Sequence, residues 1–171
     1  MKKKIFPIII MVLSFNIIRA QDNYKKYENS QFGFSIDYPE SWTLNEGKQT
    51  IFSIISPQTS ATDKVLDNMN LSIIKSVPED MALKDYTEGS LNALKGYLKK
   101  FKRISTDYIK INGNDYAKTI YEHKVMSFTF KVILYQTIIN GKGYNFTCTT
   151  DPSDVTYVPA FAHIISTFVV K

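Results

Sequence analysis

At Pro78-Glu79-Asp80 the spacing of apolar residues changes, and that change limits what the chain can fold into more than any other feature. Upstream, Phe32, Phe34, Ile36 and Tyr38 alternate with small or polar residues, the two-residue period of a strand, and Pro39 ends the run. Ser41-Trp42-Thr43-Leu44 resumes an extended segment in which Trp42, the only tryptophan, covers an edge of the core. Ile51 to Ser56 reads as a third strand stopped by Pro57, Gln58 to Asn68 as a loop, and Asn70 to Val77 as a fourth strand. Downstream, Leu83, Tyr86, Ser90, Leu91, Leu94, Leu98 and Phe101 fall three and four apart, which on a 3.6-residue helix makes one face; Lys84, Asp85, Glu88, Lys95 and Lys99 point elsewhere. One long amphipathic helix therefore interrupts a chain of strands, and its apolar face is expected to pack on their sheet.

Four more strands follow, at Lys102 to Ile111, Asp115 to His123, Met126 to Ile139 and Tyr144 to Thr150. Asn112-Gly113-Asn114 and Asn140-Gly141-Lys142-Gly143 carry the Asn-Gly chemistry of tight hairpins, because both residue types tolerate positive φ. The second half is thus an antiparallel meander. Tyr157, Phe161, Ile164, Ile165 and Phe168 give a second, C-terminal helix, with Pro159 admissible in its first turn, and Val169-Val170 a last extended piece. The fold class is α+β.

Met1-Lys2-Lys3-Lys4, the apolar run Ile5 to Ile18 and Arg19-Ala20-Gln21 stand in the order of a secretory signal peptide. The run holds 14 residues, interrupted by Pro7, Ser14 and Asn16, against the roughly 20 that a spanning helix needs. We expect residues 1–20 to be cleaved after Ala20, leaving residues 21–171 as one domain. Cleavage removes Lys2, Lys3, Lys4 and Arg19, so 21 basic residues become 17 against 16 acidic ones and the net charge falls from +5 to +1. The basic excess belongs to the leader, which removes the argument for nucleic acid. Cys148 is the only cysteine, so no internal disulfide can form; its alternation with Tyr144 and Phe146 places it on the apolar face of a strand as an inert thiol.

Phe32-Gly33-Phe34-Ser35-Ile36-Asp37-Tyr38-Pro39-Glu40-Ser41-Trp42, the strand ending Ser56-Pro57, the single long helix, Ile111-Asn112-Gly113 with Tyr135-Gln136, and the closing Phe161 to Phe168 resemble the PsbP-like (PsbP/Mog-like) α/β sandwiches over nearly all of residues 27–171. The resemblance implies an antiparallel sheet with one long and one C-terminal helix packed on it, acting as a binding or assembly module without a catalytic centre. It transfers no partner and no binding residues. The leader argues against a nuclear role, and its brevity and three lysines mark it as bacterial and not as a transit peptide.

Few residues stand at the spacing of a chemical site. His163 lies off the apolar stripe of its helix, and His123 follows Glu122 on a strand, where neighbours point to opposite faces. Asp63, Asp67, Asp151 and Asp154 lack the alternation and glycine of a calcium loop, there is no Gly-x-Ser-x-Gly, and Gly141-Lys142-Gly143 reads as a hairpin and not a phosphate loop. Lys95, Lys99, Lys100, Lys102 and Arg103 form a basic cluster placed at the end of the long helix, where the helix dipole favours cations and where an acidic partner or an anionic membrane face could dock. We therefore expect an exported, non-catalytic module of the bacterial cell envelope, periplasmic or secreted. Its partner would be another envelope protein, with no cofactor, metal or nucleic acid and no integral membrane segment once the leader is gone. The alternative is an envelope enzyme or small-ligand carrier with a pocket between helices and sheet; a deep pocket lined by convergent polar groups would favour it, and a closed core with a broad mixed surface would favour the first reading.

Overall fold

In the computed structural model the residues described are 23–47, 50–58 and 65–171; the expected leader, residues 1–20, and the middle of the loop expected over 58–68 lie outside them. Strands β3 (Thr43–Glu46), β4 (Phe52–Ile55), β5 (Asn68–Ile74), β6 (Lys99–Ile111), β7 (Asn114–Val125), β8 (Phe128–Ile139) and β9 (Lys142–Thr150) form one sheet in the order β3-β4-β5-β9-β8-β7-β6, antiparallel throughout. Helix α1 (Leu83–Tyr97) carries the chain from β5, inside the sheet, to β6 at its edge. The expected meander is β6 to β9. Its two Asn-Gly turns work as their chemistry demands, with positive φ at Asn112 (50°), Gly113 (80°), Asn140 (52°) and Gly141 (67°).

A second, three-stranded sheet, β1 (Tyr24–Asn29), β2 (Phe34–Pro39) and β10 (Val169–Val170), packs with helix α2 (Val158–Ser166) on one face of the large sheet. Alternation decides which side chains meet there: Phe52, Ile54, Met69, Leu71, Tyr144, Phe146, Cys148, Ile133 and Tyr135 share that face and are buried with Phe34, Ile36, Trp42, Phe161, Ile164 and Phe168. Helix α1 covers part of the opposite face, where Leu91, Tyr121, Val132 and Leu134 form a smaller apolar cluster. The molecule is thus layered as α1, large sheet, then small sheet with α2. Pro159 occupies the first turn of α2, where no intrahelical donor is lost.

Several boundaries differ from the sequence reading: β5 runs Asn68–Ile74 and does not reach Val77, and β8 begins at Phe128, because Met126, expected in that strand, stands at positive φ in the turn after β7. The strand read over Phe32 to Tyr38 is the second arm of a hairpin, β1 turning through Gly33 (φ 68°) into β2; β1 lies at an edge with Lys25, Lys26 and Glu28 exposed, so it shows no apolar alternation. Helix α1 stops at Tyr97 and does not reach Phe101, because Leu98 turns extended (φ −82°, ψ 123°) and Lys99 pairs with Lys124 of β7. Phe101 continues the helical spacing by accident. It reaches the same apolar cluster from β6, its ring 5.0 Å from Tyr121.

Cys148 is fully buried between Met69 and Ile133 across the sheet, and burial pushes its thiol well above the ordinary range. Thiol reagents should label the native protein no faster than it unfolds. Complete labelling within minutes under native conditions would contradict this packing.

Candidate functional site

The α1 side of the large sheet has two different halves. Around Phe101 of β6, Tyr121 of β7 and Val132 and Leu134 of β8 it is apolar and helix-covered; over β3, β4, β5 and β9, and at Gln136 of β8, the register sets amides and hydroxyls side by side. One row runs Asn45, Ser53, Asn70, Thr147 and a second Ser72, Asn145, Gln136. None of these side chains is charged. Asn70 Nδ2 donates to Asn68 Oδ1 at 2.9 Å, which aligns neighbouring amides along β5.

Where this face meets α1, a cleft of about 260 Å³ opens between Ser72, Gln136, Asn145 and Thr147 on the sheet and Ser90, Ala93, Leu94 and Tyr97 on the helix. Its floor is a small polar network. Asn145 Oδ1 accepts from Tyr86 Oη at 3.0 Å and from Gln136 Nε2 at 2.7 Å, while Gln136 Oε1, on a side chain only 1% exposed, has no partner. Burial raises the Tyr86 phenol, and burial carries Tyr121, further along under α1, up to about 12. These phenols stay neutral at physiological pH and act as rings and hydrogen-bond donors. Tyr97, 72% exposed, stands at the rim.

The five basic residues singled out in the sequence do not form one site. Lys95 alone lies in the last turn of α1; Lys99, Lys100, Lys102 and Arg103 belong to β6, so the helix-dipole account covers only Lys95. Arg103 is engaged, its Nη1 donating to Glu88 Oε1 and pinning β6 to α1. Arg103 and Lys95 share a groove of about 210 Å³ with Glu88, Leu91, Asn92 and Phe101. Lys100, at φ 55°, sits in a bulge of β6 between Lys99 and Lys102.

The two histidines stand on different layers. His123, on β7, is half-buried between Tyr121 and Phe130, with its ring stacked on Phe130 at 5.7 Å, and burial lowers its pKa. His163, on α2, is exposed with its ring 4.2 Å from Tyr24. Among the described residues no three His, Cys, Asp or Glu side chains stand together as metal ligands would, and no helix is long and apolar enough to cross a membrane.

No family model and no curated protein matches the chain. Solved structures do. Cyanobacterial PsbP (CyanoP) from Synechocystis aligns with a TM-score of 0.64 at 18% identity, over 86% of this chain and 92% of that one. The chain has the PsbP-like fold. PA94 of Pseudomonas aeruginosa, a protein of unknown function, shares it with a TM-score of 0.63 at 18% identity, over 86% of this chain and 97% of its own. So does LpqN, involved in cell envelope biogenesis of Mycobacterium tuberculosis, with a TM-score of 0.62 at 13% identity, over 88% and 92%. On the PsbP-like frame, the uncharged half-face and its cleft were not visible in the sequence as a site. The one sequence signal that could have found them is the shared run of Asn, Ser and Thr at alternate positions of β5 and β9, once those strands are known to be neighbours.

Proposed function

We propose that this chain is an exported, non-catalytic binding module of the bacterial cell envelope, and that it holds another envelope protein on the uncharged half-face of its large sheet. The observation that carries this reading is the pair of adjoining rows Asn45, Ser53, Asn70, Thr147 and Ser72, Asn145, with the exposed Tyr97 beside them. Neutral hydrogen-bonding groups lose little on desolvation if a partner matches them, and tyrosine is enriched where proteins meet. The likeness to LpqN, together with the expected leader, supports the envelope as the setting. A photo-crosslinkable residue at Asn70, expressed in the native host, should give a discrete protein adduct that Thr147→Arg removes without lowering the melting temperature. Adducts formed only from Lys26, on the exposed β1 edge, would place the binding surface elsewhere.

A second reading, a small-ligand carrier, draws on the unpartnered Gln136 Oε1 at the bottom of the cleft. A buried acceptor without a donor costs free energy that a ligand hydroxyl or amide would recover. Native mass spectrometry of protein from its host would then find a bound small molecule, lost with Gln136→Leu; a bare mass would exclude it.

A further inference from the structure

We propose that the β7–β8 hairpin is a membrane foot: its apolar tip enters the interfacial layer of a bilayer while the lysines behind it meet anionic headgroups. The hairpin outruns its neighbours on both sides. Pairing of β8 with β9 begins at Lys131, so Phe128, Thr129 and Phe130 have no β9 neighbour, and pairing of β7 with β6 ends at Lys124, so the tip from Val125 to Phe128 stands beyond both flanking strands. At its end Val125 pairs with Phe128 across a two-residue turn of Met126 and Ser127; Val125 is 48%, Phe128 45% and Met126 92% exposed.

The turn itself is unusual in composition. The two other tight hairpins of the meander place Asn and Gly where φ is positive, but here Met126 sits at φ 54°. A backbone position that favours Gly or Asn instead holds a large, fully solvated apolar side chain. Immediately behind it the register brings Lys124 opposite Lys99, with Lys100 in the adjoining bulge, all three exposed. Among the described residues none of these amines, nor Lys102 or Lys131, has a carboxylate within ion-pair distance. Glu122 lies between Lys102 and Lys131 in the cross-strand register and offsets part of their charge, so Lys99, Lys100 and Lys124 supply the net positive collar.

This geometry fits a lipid surface better than a protein. A specific protein contact buries about 800 Å² per partner over matched surfaces, which the short turn from Val125 to Phe128 does not offer. An interfacial anchor needs apolar groups to reach only about 5–10 Å into the headgroup boundary, with cations at headgroup level above them. Lysine stems can lie along the apolar tip while their amines stay in the polar layer. The proposal goes beyond the binding role given above and does not rest on it; the neutral half-face is a separate surface.

The test is co-sedimentation of the chain, as its host exports it, with vesicles of equimolar phosphatidylglycerol and phosphatidylcholine and with phosphatidylcholine alone. All variants share one N-terminus, so any retained leader contributes equally and the differences report the tip. Binding to the anionic vesicles should weaken as salt rises. Met126→Ser should weaken it by about tenfold or more. Lys99→Ala with Lys124→Ala should lose about 25-fold, at roughly fivefold per lysine. A Met126→Trp variant should shift its emission to the blue on anionic vesicles only. Equal sedimentation of the wild type and Met126→Ser would overturn the proposal. So would partition into neither vesicle alongside capture of an acidic envelope protein that the double lysine variant loses, which would make the collar a protein-docking site.

Discussion

Trp42→Ala is expected to cost about 3–5 kcal/mol of stability and to lower the melting temperature by roughly 10–15 °C. The indole is 2% exposed, and two rings meet it nearly at right angles: Tyr157 at 5.1 Å and 86°, and Phe161 at 5.6 Å and 88°. Edge-on pairs of this kind contribute about 0.5–1.5 kcal/mol each beyond their buried area. Trp42 also closes the turn after β2, its backbone N–H donating to the Pro39 carbonyl at 2.9 Å. It therefore ties α2 and the segment leading into that helix to the chain leaving the small sheet. Removing the ring leaves a cavity between elements far apart in sequence, which neither can fill without moving the other. Trp42→Phe, which keeps one aromatic face, should recover part of the loss. Denaturant and thermal unfolding followed by circular dichroism measure both variants, and an unchanged midpoint for Trp42→Ala would show that the ring is not packed as described.

Trp42 could be placed at an edge of the core from sequence, since it stands in the short extended segment that resumes after Pro39 ends a strand. The same local logic located α1, the two Asn-Gly hairpins and the start of α2 at Pro159, since each is set by residues within one turn or one alternation of each other. It failed where the deciding partner is distant. The end of α1 is fixed by Lys99 pairing with Lys124, and the helical spacing of Phe101 carries no trace of that pairing. The basic cluster was visible as a run of residues, but its division into the engaged Arg103, the helical Lys95, Lys102 opposite Glu122, and Lys99 and Lys100 beside Lys124 depends on β6 lying against both α1 and β7. The uncharged half-face is illegible for the same reason. Asn70 and Thr147 are ordinary strand residues until β5 and β9 are set side by side.

The same distance effect hides the role of Gly143, read from sequence as one more hairpin glycine, and gives the second large expected effect. Gly143 lies in β9 beneath the ring of Tyr86, so a Cβ built there would come within 2.6 Å of Tyr86 Cζ and 3.0 Å of Cε2. That ring cannot step aside cheaply: it is 8% exposed, carried by α1 at one end, and held at the other by its bond to Asn145. Gly143→Ala must lift α1 or expel the ring. Overpacking costs about 1–3 kcal/mol and the lost hydrogen bond about 1 kcal/mol. Reduced freedom of the unfolded chain returns about 0.5–1 kcal/mol, leaving a net loss near 2–3 kcal/mol. The decisive measurement is a double-mutant cycle. With Tyr86→Ala already in place, Gly143→Ala should be neutral or stabilising, so that the two positions couple by about 2–3 kcal/mol. Equal destabilisation in both backgrounds would mean that Gly143 matters for its own backbone and not for the seat it gives α1. Because the floor of the cleft is built from Tyr86, Asn145 and Gln136, the single variant should also disturb whatever binds there, while vesicle binding by the distant β7–β8 tip stays unchanged.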